Sequence, residues 1–286
     1  MASSRLRGFS YLHPRSMSQI RLSTGITNYE CIGPEQGPMV VLVHGISISM
    51  WTWDRIGPAL ASEGFRVLRY DTLGRGESAY PPGPYDRNLL ANQLRELLDQ
   101  LGVAQKVSFV GFSFGGAIAT NFASLFPARV RRLALIAPFS RVVMPDPRAP
   151  MRLPMVGEAI MRFKLSGELM LRAKRLIDGA GLPSVYVKRF SEQVSRPEFR
   201  RAFLSLLRSD GLNDYIGIYA KVGMFDLPSL LVCGSKDQDI SRESIEAVRL
   251  ALHPRRFYEI AGADHGSILH LSIRIEEKLI EFLKEY

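Results

Sequence analysis

The sequence predicts an α/β fold, a mostly parallel sheet of about eight strands flanked by helices, with one inserted helical cap. Three observations predict it. Short, continuous apolar runs alternate with stretches at helical spacing, the pattern of strands covered on both faces by crossover helices. That alternation stops between residues 141 and 222, where no buried strand is legible, and resumes at Pro228. The 286 residues, 46% hydrophobic and 23% charged, suffice for one large domain with a substantial core.

The elements follow in order. QIRLSTGITNYECIG, from Gln19, reads as two short strands around the turn Ser23 to Gly25. PMVVLV, residues 38–43, is a buried strand that runs out into His44-Gly45-Ile46. SMWTWDRIGPALASEG has helical spacing and stops at Gly64, and FRVLRYD is a buried strand ending at Asp71. A Gly/Pro-rich loop, Thr72 to Tyr85, leads to an amphipathic helix from Asn88 to Leu101. The strand VSFVG, the helix AIATNFASLF and the strand RRLALIA complete the first half. Within residues 141–222, GEAIMRFKLSGELMLRAKRLID and PEFRRAFLSLLRSDG read as helices, with breakers at Pro145, Pro147, Pro150, Pro154 and Pro183. Then come the strand PSLLVCG, the helix SRESIEAVRLAL, the strand RRFYEIAG and a last helix from about Ser267 to Lys284. The expected organisation is a basic leader over 1–18, a core over 19–140 and 223–286, and a cap over 141–222.

Composition narrows the partners. The formal net charge is +9, and residues 141–225 hold fifteen Lys or Arg against eight Asp or Glu, so most of the excess lies in the cap. No nucleic-acid motif or interleaved aromatic pattern accompanies it, which argues against nucleic acid. A solvated basic face explains it, and so does peripheral contact with an anionic membrane or an anionic substrate. Cys31 and Cys233 have no metal or redox spacing and read as buried thiols of a reducing compartment. No apolar run is long enough to cross a bilayer. A cytoplasmic location is expected, with a mitochondrial or other organellar one as the alternative: the first 29 residues contain no acid and carry Arg5, Arg7, Arg15 and Arg21 among serines. A disordered leader, or a true start at Met17, fits the same composition. The oligomeric state is not legible.

The chemistry centres on VSFVGFSFGGA, residues 107–117, which places Ser113 where a strand must turn abruptly into a helix. A serine hydroxyl becomes a useful nucleophile when it projects from such a bend within reach of a base, and Gly111 and Gly115 let strand and helix close in. The helix start adds free N–H groups and positive dipole beside it. Ligands of parallel sheets gather at the strands' carboxyl ends. There the chain offers His44-Gly45-Ile46, Asp71, Ser113, Pro138-Phe139, Asp237 with Asp239, and His265, with nucleophile, acid and base in the order Ser, Asp, His.

With VLVHGIS, YDTLGRGES, GFSFGG, VCGSKDQD and AGADHGS in this order, the chain from about residue 19 onward resembles the α/β-hydrolase fold superfamily, in particular its serine esterase and lipase-like members with a helical cap. The resemblance implies a catalytic triad of Ser113, His265 and Asp237, the last lying three residues after the strand-ending Gly234, with Asp239 as the other candidate acid. Some relatives carry the acid after the preceding strand, but here that strand runs into APFSRVV, which has none. The resemblance also implies an oxyanion hole made by the backbone N–H groups of Ile46 and Phe114. His44 is expected to pack beneath the oxyanion loop, His13 and His253 at the surface, and His270 in the last helix.

The implied activity is cleavage of carboxylic esters, acyl or lipid-like, through an acyl-enzyme. A serine at the elbow argues against haloalkane dehalogenases and epoxide hydrolases, whose relatives carry an aspartate there. C–C bond hydrolases, lyases and perhydrolases using the same triad, or a slow-turnover small-molecule receptor, are the alternatives. Expected pocket residues are Ser47, Met50, Trp51, Phe139 and Ile268. Met144, Met151, Met155, Met161 and Met170 suggest an adaptable apolar pocket for an apolar acyl group. No cofactor is expected, and no metal, since no two histidines share a ligand spacing.

Overall fold

A computed structural model describes residues 17–141, 149–179, 183–269 and 273–285. The basic leader up to Ser16, Met144, Pro145, Pro147, His13 and His270 lie outside the described residues.

One eight-stranded sheet carries the fold. Strands β1 (Ser18–Leu22) and β2 (Gly25–Ile32) form the antiparallel hairpin, and β2 pairs antiparallel with β4 (Arg66–Tyr70). From β4 the pairing is parallel through β3 (Met39–Val43), β5 (Val107–Phe112), β6 (Val130–Ile136), β7 (Ser229–Gly234) and β8 (Arg256–Ile260). All residues of β3 and β5 are buried, as their unbroken apolar runs require when helices cover both faces. The strand order, β1-β2-β4-β3-β5-β6-β7-β8, reverses direction between β3 and β5. The loops leaving these two strands diverge there and open a crevice.

Core helices are α1 (Ile56–Ser62), α2 (Arg87–Gln100) and α3 (Phe114–Leu125). The helical stretch expected over 49–64 is split: a 3₁₀ turn, Met50–Trp53, precedes α1. The Met50 N–H donates to Asp71 Oδ1 at 2.8 Å and Asp54 pairs with Arg69, so the turn is tied to the end of β4 instead of continuing into α1.

Between β6 and β7 lie α4 (Val156–Ile160), a π-helical turn at Met161–Leu165, α5 (Ser166–Gly179), α6 (Val185–Ser195) and α7 (Pro197–Arg208). The patch expected over 157–178 is thus helical throughout but locally underwound at 161–165. The Tyr215 N–H donates to the Ser140 carbonyl at 2.8 Å, which closes the neck of the insertion. Helix α8 (Ile216–Gly223) then packs on the core, so closely that a Cβ on Gly223 would lie 2.4 Å from the Ala251 carbonyl oxygen.

The chain ends with α9 (Arg242–Leu252) and α10 (Ile273–Lys284). The last helix was expected from Ser267. Instead the Asp264 carboxylate takes the N–H groups of Gly266 (3.1 Å) and Ser267 (2.7 Å), making a turn that Ser267–Leu269 continue as 3₁₀. Cys233 is buried, whereas Cys31 is exposed, correcting the expectation of two buried thiols. It lies on β2, the second strand of the sheet, past Tyr29, where the pairing with the edge strand β1 ends. No helix among the described residues is long and apolar enough to cross a membrane.

Candidate active site

Ser113 has φ 55° and ψ −122°, between β5 and α3. For a residue with a Cβ this is a strained conformation, held only where neighbours over-determine it. They do so here. The Ser113 N–H donates to Ile136 O at 2.9 Å, and its carbonyl accepts from Gly116 and Phe139, both at 3.0 Å. The glycines supply the room: a Cβ on Gly115 would lie 2.1 Å from Val43 O, and one on Gly111 2.6 Å from Gly115 O. Ala137, also at positive φ (44°), turns the chain after β6 so that Phe139 can reach the elbow.

The structure brings Ser113, His265 and Asp237 into one hydrogen-bonded relay. Ser113 Oγ lies 3.0 Å from His265 Nε2, and His265 Nδ1 lies 2.8 Å from Asp237 Oδ2. An ionised carboxylate can only accept, so Nδ1 carries the proton and Nε2 presents its lone pair to the serine O–H. Both the imidazole and the carboxylate are largely shielded, and the Phe112 ring packs against the imidazole with centroids 4.9 Å apart. Asp237 is fixed by the N–H groups of Asp239 (2.8 Å) and Ile240 (2.9 Å), both donating to Oδ1. Asp239 turns the other way and pairs with Arg172 of α5, which separates the two candidate acids.

The loop after β3 is held from below and from the side. His44 is fully buried; its Nδ1–H donates to Gly45 O at 2.8 Å and its Nε2 accepts the Thr72 N–H at 3.0 Å. Burial lowers its pKa to about 3, so it remains neutral, as a packing residue under this loop must. Two side chains that the sequence did not single out hold the loop's carbonyls. Arg75 Nε donates to Ile46 O, and Gln193 Nε2, from the cap helix α6, donates to Ser47 O at 2.8 Å. Gln193 Oε1 also accepts the Gly76 N–H at 2.7 Å. The Arg75 guanidinium sits 5.2 and 5.5 Å from the ring centres of Phe199 and Phe203 on α7. Burial lowers its pKa to about 10, which leaves it charged at neutral pH. Among the described residues, neither the Ile46 nor the Phe114 N–H donates to a protein acceptor.

A cavity of about 590 Å³ opens over Ser113 and His265. Ile46, Ser47, Ile48, Phe112 and Phe139 wall it from the core, and Leu165, Leu169, Phe203 and Leu212 from the insertion. Ser47 and Phe139 thus lie where expected, but Met50, Trp51 and Ile268 do not. Met50 is buried and its amide is tied to Asp71; Trp51 packs against Tyr186 of α6, centroids 5.0 Å apart, at the seam between core and insertion; Ile268 is wholly enclosed. The methionine-lined pocket is corrected too. Met151 and Met161 are buried in the insertion's own core, Met155 is 83% exposed, Met170 is half-buried, and none of the four lines the cavity. Arg172, Arg175 and Lys236 do. No cluster of three or more potential metal ligands occurs among the described residues.

A strand-ordered sheet with a nucleophile-type elbow, an ordered loop beside it and helices roofing the crevice defines the architecture. The family model described as alpha/beta hydrolase fold matches residues 38–270, and the chain belongs to that family. Its relatives include an uncharacterized protein of Mycobacterium tuberculosis, 31% identical over 222 residues, covering 70% of this chain and 62% of that one. Bifunctional epoxide hydrolase 2 of Mus musculus is 41% identical over 114 residues, 39% of this chain; the chain spans only about a fifth of that relative's length. Among solved structures, the enol-lactonase of Burkholderia xenovorans LB400 superposes with a TM-score of 0.78 at 22% identity, covering 94% of this chain and 100% of that one. A thermophilic esterase of Thermogutta terrifontis gives 0.74 at 24% identity, covering 94% and 98%. At these identities the structural likeness speaks for the fold.

Proposed function

We propose that this hydrolase-family protein is a serine hydrolase that cleaves carboxylic esters through an acyl-enzyme. The observation that carries the reading is the unbroken relay Ser113–His265–Asp237 on a strained elbow at the floor of the cavity. In the first step Ser113 Oγ attacks the ester carbonyl carbon while His265 Nε2 takes the hydroxyl proton, and Asp237 stabilises the imidazolium. The oxyanion is received by the Ile46 and Phe114 N–H groups, which have no acceptor to give up among the described residues. When the tetrahedral centre collapses, the C–O bond to the alcohol breaks and His265 returns the proton to the leaving oxygen. Water, deprotonated by His265, then releases the acid by the reverse sequence and regenerates Ser113.

The similarity to an epoxide hydrolase does not redirect this reading, because position 113 holds a serine, whose acyl ester can be hydrolysed by the same relay. The test is turnover of p-nitrophenyl esters of graded acyl length, together with labelling by a fluorophosphonate. Steady-state hydrolysis and stoichiometric labelling, both lost in Ser113→Ala, are expected. Folded protein that leaves the whole ester series untouched removes the proposal, and labelling without turnover points to a slow receptor instead.

A further inference from the structure

We infer that the cavity selects esters carrying an anionic group, a carboxylate at the end remote from the reacting carbonyl, and that Arg175 and Lys236 receive it. The inference rests on the ester-hydrolase reading and specifies its substrate class.

The argument is one of charge balance inside a single cavity. Three cations line it, Arg172 and Arg175 from α5 and Lys236 from the loop after β7, along with the two acids Asp239 and Asp264. Both acids are committed to the protein. Asp239 is paired with Arg172, and Asp264 holds the Gly266 and Ser267 amides, which keep its carboxyl below the usual carboxylate range. The positive side is not balanced in this way. Among the described residues neither Arg175 nor Lys236 is paired with a carboxylate, although each lines the cavity.

The two groups come from different segments, one from the insertion and one from the residue next to Asp237, and the Arg172–Asp239 pair joins those segments at the cavity. An anion between them would meet both, and the apolar wall of Leu165, Leu169 and Phe203 would hold the methylene spacer leading down to Ser113. Charge-assisted hydrogen bonds of this kind gain strength where part of the solvent is displaced. A neutral acyl chain would leave both cations facing only water and apolar surface.

The test compares p-nitrophenyl hydrogen adipate with p-nitrophenyl 6-methylheptanoate, in which an isopropyl group replaces the carboxylate at equal length. The expected result for the wild-type protein is a kcat/KM for the adipate about tenfold or more above that of its neutral counterpart, expressed mainly in KM. The preference should shrink as salt rises from about 0.02 M to about 0.5 M. Arg175→Gln and Lys236→Gln should each reduce the ratio several-fold and the double variant should bring it near one, whereas Lys188→Gln, on the exposed face of α6, should leave the ratio in place. Calorimetric binding of adipic acid monoanilide and its isopropyl-ended analogue to the wild-type protein reads the same preference without turnover.

Ester hydrolysis with a ratio at or below one overturns the inference and leaves the ester reading standing. A carboxylate preference in the anilide pair without hydrolysis of either ester does the reverse. If the adipate has no advantage but the double variant loses sedimentation with phosphatidylserine vesicles, the charges serve a lipid surface and the inference is likewise overturned.

Discussion

The Nε–H of Arg75 donates to the carbonyl of Ile46, the residue whose own N–H is proposed to receive the oxyanion formed at Ser113. Arg75 is buried, pairs with no carboxylate among the described residues, and packs over the rings of two cap-helix phenylalanines. Its charge is thus spent on two backbone carbonyls, those of Ile46 and Gly74, and two π-faces. Arg75→Met should therefore misplace an oxyanion donor without removing it. Removal of such a donor costs about a hundredfold or more in rate, so a loss of about ten- to a hundredfold in kcat is expected, with KM little changed. Arg75→Lys, which keeps the charge but not the Nε donor geometry, should recover only part of it. Steady-state kinetics beside a circular dichroism melt separates this outcome from simple unfolding; a variant with full kcat refutes the positioning role.

Asp237 and Asp239 differ by two positions and should differ by orders of magnitude in effect. Asp237→Asn removes the acceptor that fixes the His265 tautomer, and a fall of about 10³- to 10⁴-fold in kcat is expected. Asp239→Asn breaks an exposed pair with Arg172 and should keep turnover of a neutral ester within about threefold. Equal losses in the two variants would mean that the relay has been assigned to the wrong acid.

His44 makes stability depend on pH. Its folded pKa, about 3, lies below that of an unfolded imidazole at about 6.5. Between these values the unfolded chain binds a proton that the folded one does not, so the His44 contribution is complete above pH 6.5 and declines as pH falls towards 3. One such proton corresponds to a slope of about 1.4 kcal/mol per pH unit. Urea denaturation between pH 5 and 6.5 should show that slope in the wild-type protein and a shallower one in His44→Asn. Asp71, whose burial raises its pKa, works in the opposite direction.

Gly115→Ala tests the packing of the elbow. The added methyl would meet two backbone oxygens, Val43 O at 2.1 Å and His44 O at 2.5 Å, and neither can rotate away. Strand β3 or helix α3 must shift, at a cost of roughly 3 kcal/mol. A melting temperature lower by about 5 °C is the expected reading for a chain of this size. Gly167→Ala, where a Cβ has nothing within 4 Å, is the control and should melt with the wild type.

The core and the relay were legible because their signals are local. A parallel strand buried on both faces must be an apolar run; Ser113 follows β5 directly and Asp237 lies three residues past β7, whereas His265 lies five residues past the half-buried edge strand β8 and was found by its AGADHGS motif. The insertion was read less well. Helix α6 escaped notice because its buried positions, Tyr186, Phe190, Gln193 and Val194, include a polar residue, and Val185 and Val187 obscure the helical period. Arg75 and Gln193 were missed for a related reason: what they do depends on carbonyls about thirty and one hundred and forty-six positions away, which no spacing rule encodes. Met50 and Trp51 follow the oxyanion loop so closely in sequence that a pocket role was natural, but the 3₁₀ turn points them into the seam. The methionines were misassigned because an insertion of this size needs an interior of its own, and Met151 and Met161 fill it.

The bond from Gln193 to the Ser47 carbonyl limits how this protein can be re-engineered or can have diverged. One amide side chain joins the roof of the cavity to the loop beside the nucleophile and, through Gly76, to a third segment. The insertion is therefore not an interchangeable module. A chimera that grafts another roof at the Ser140–Tyr215 neck would receive a new cavity and, unless it brings a donor to the place of Gln193, a loosened loop along with it. Substrate range and rate are inherited together in this chain, and a recombinant library that varies one should find the other varying in step.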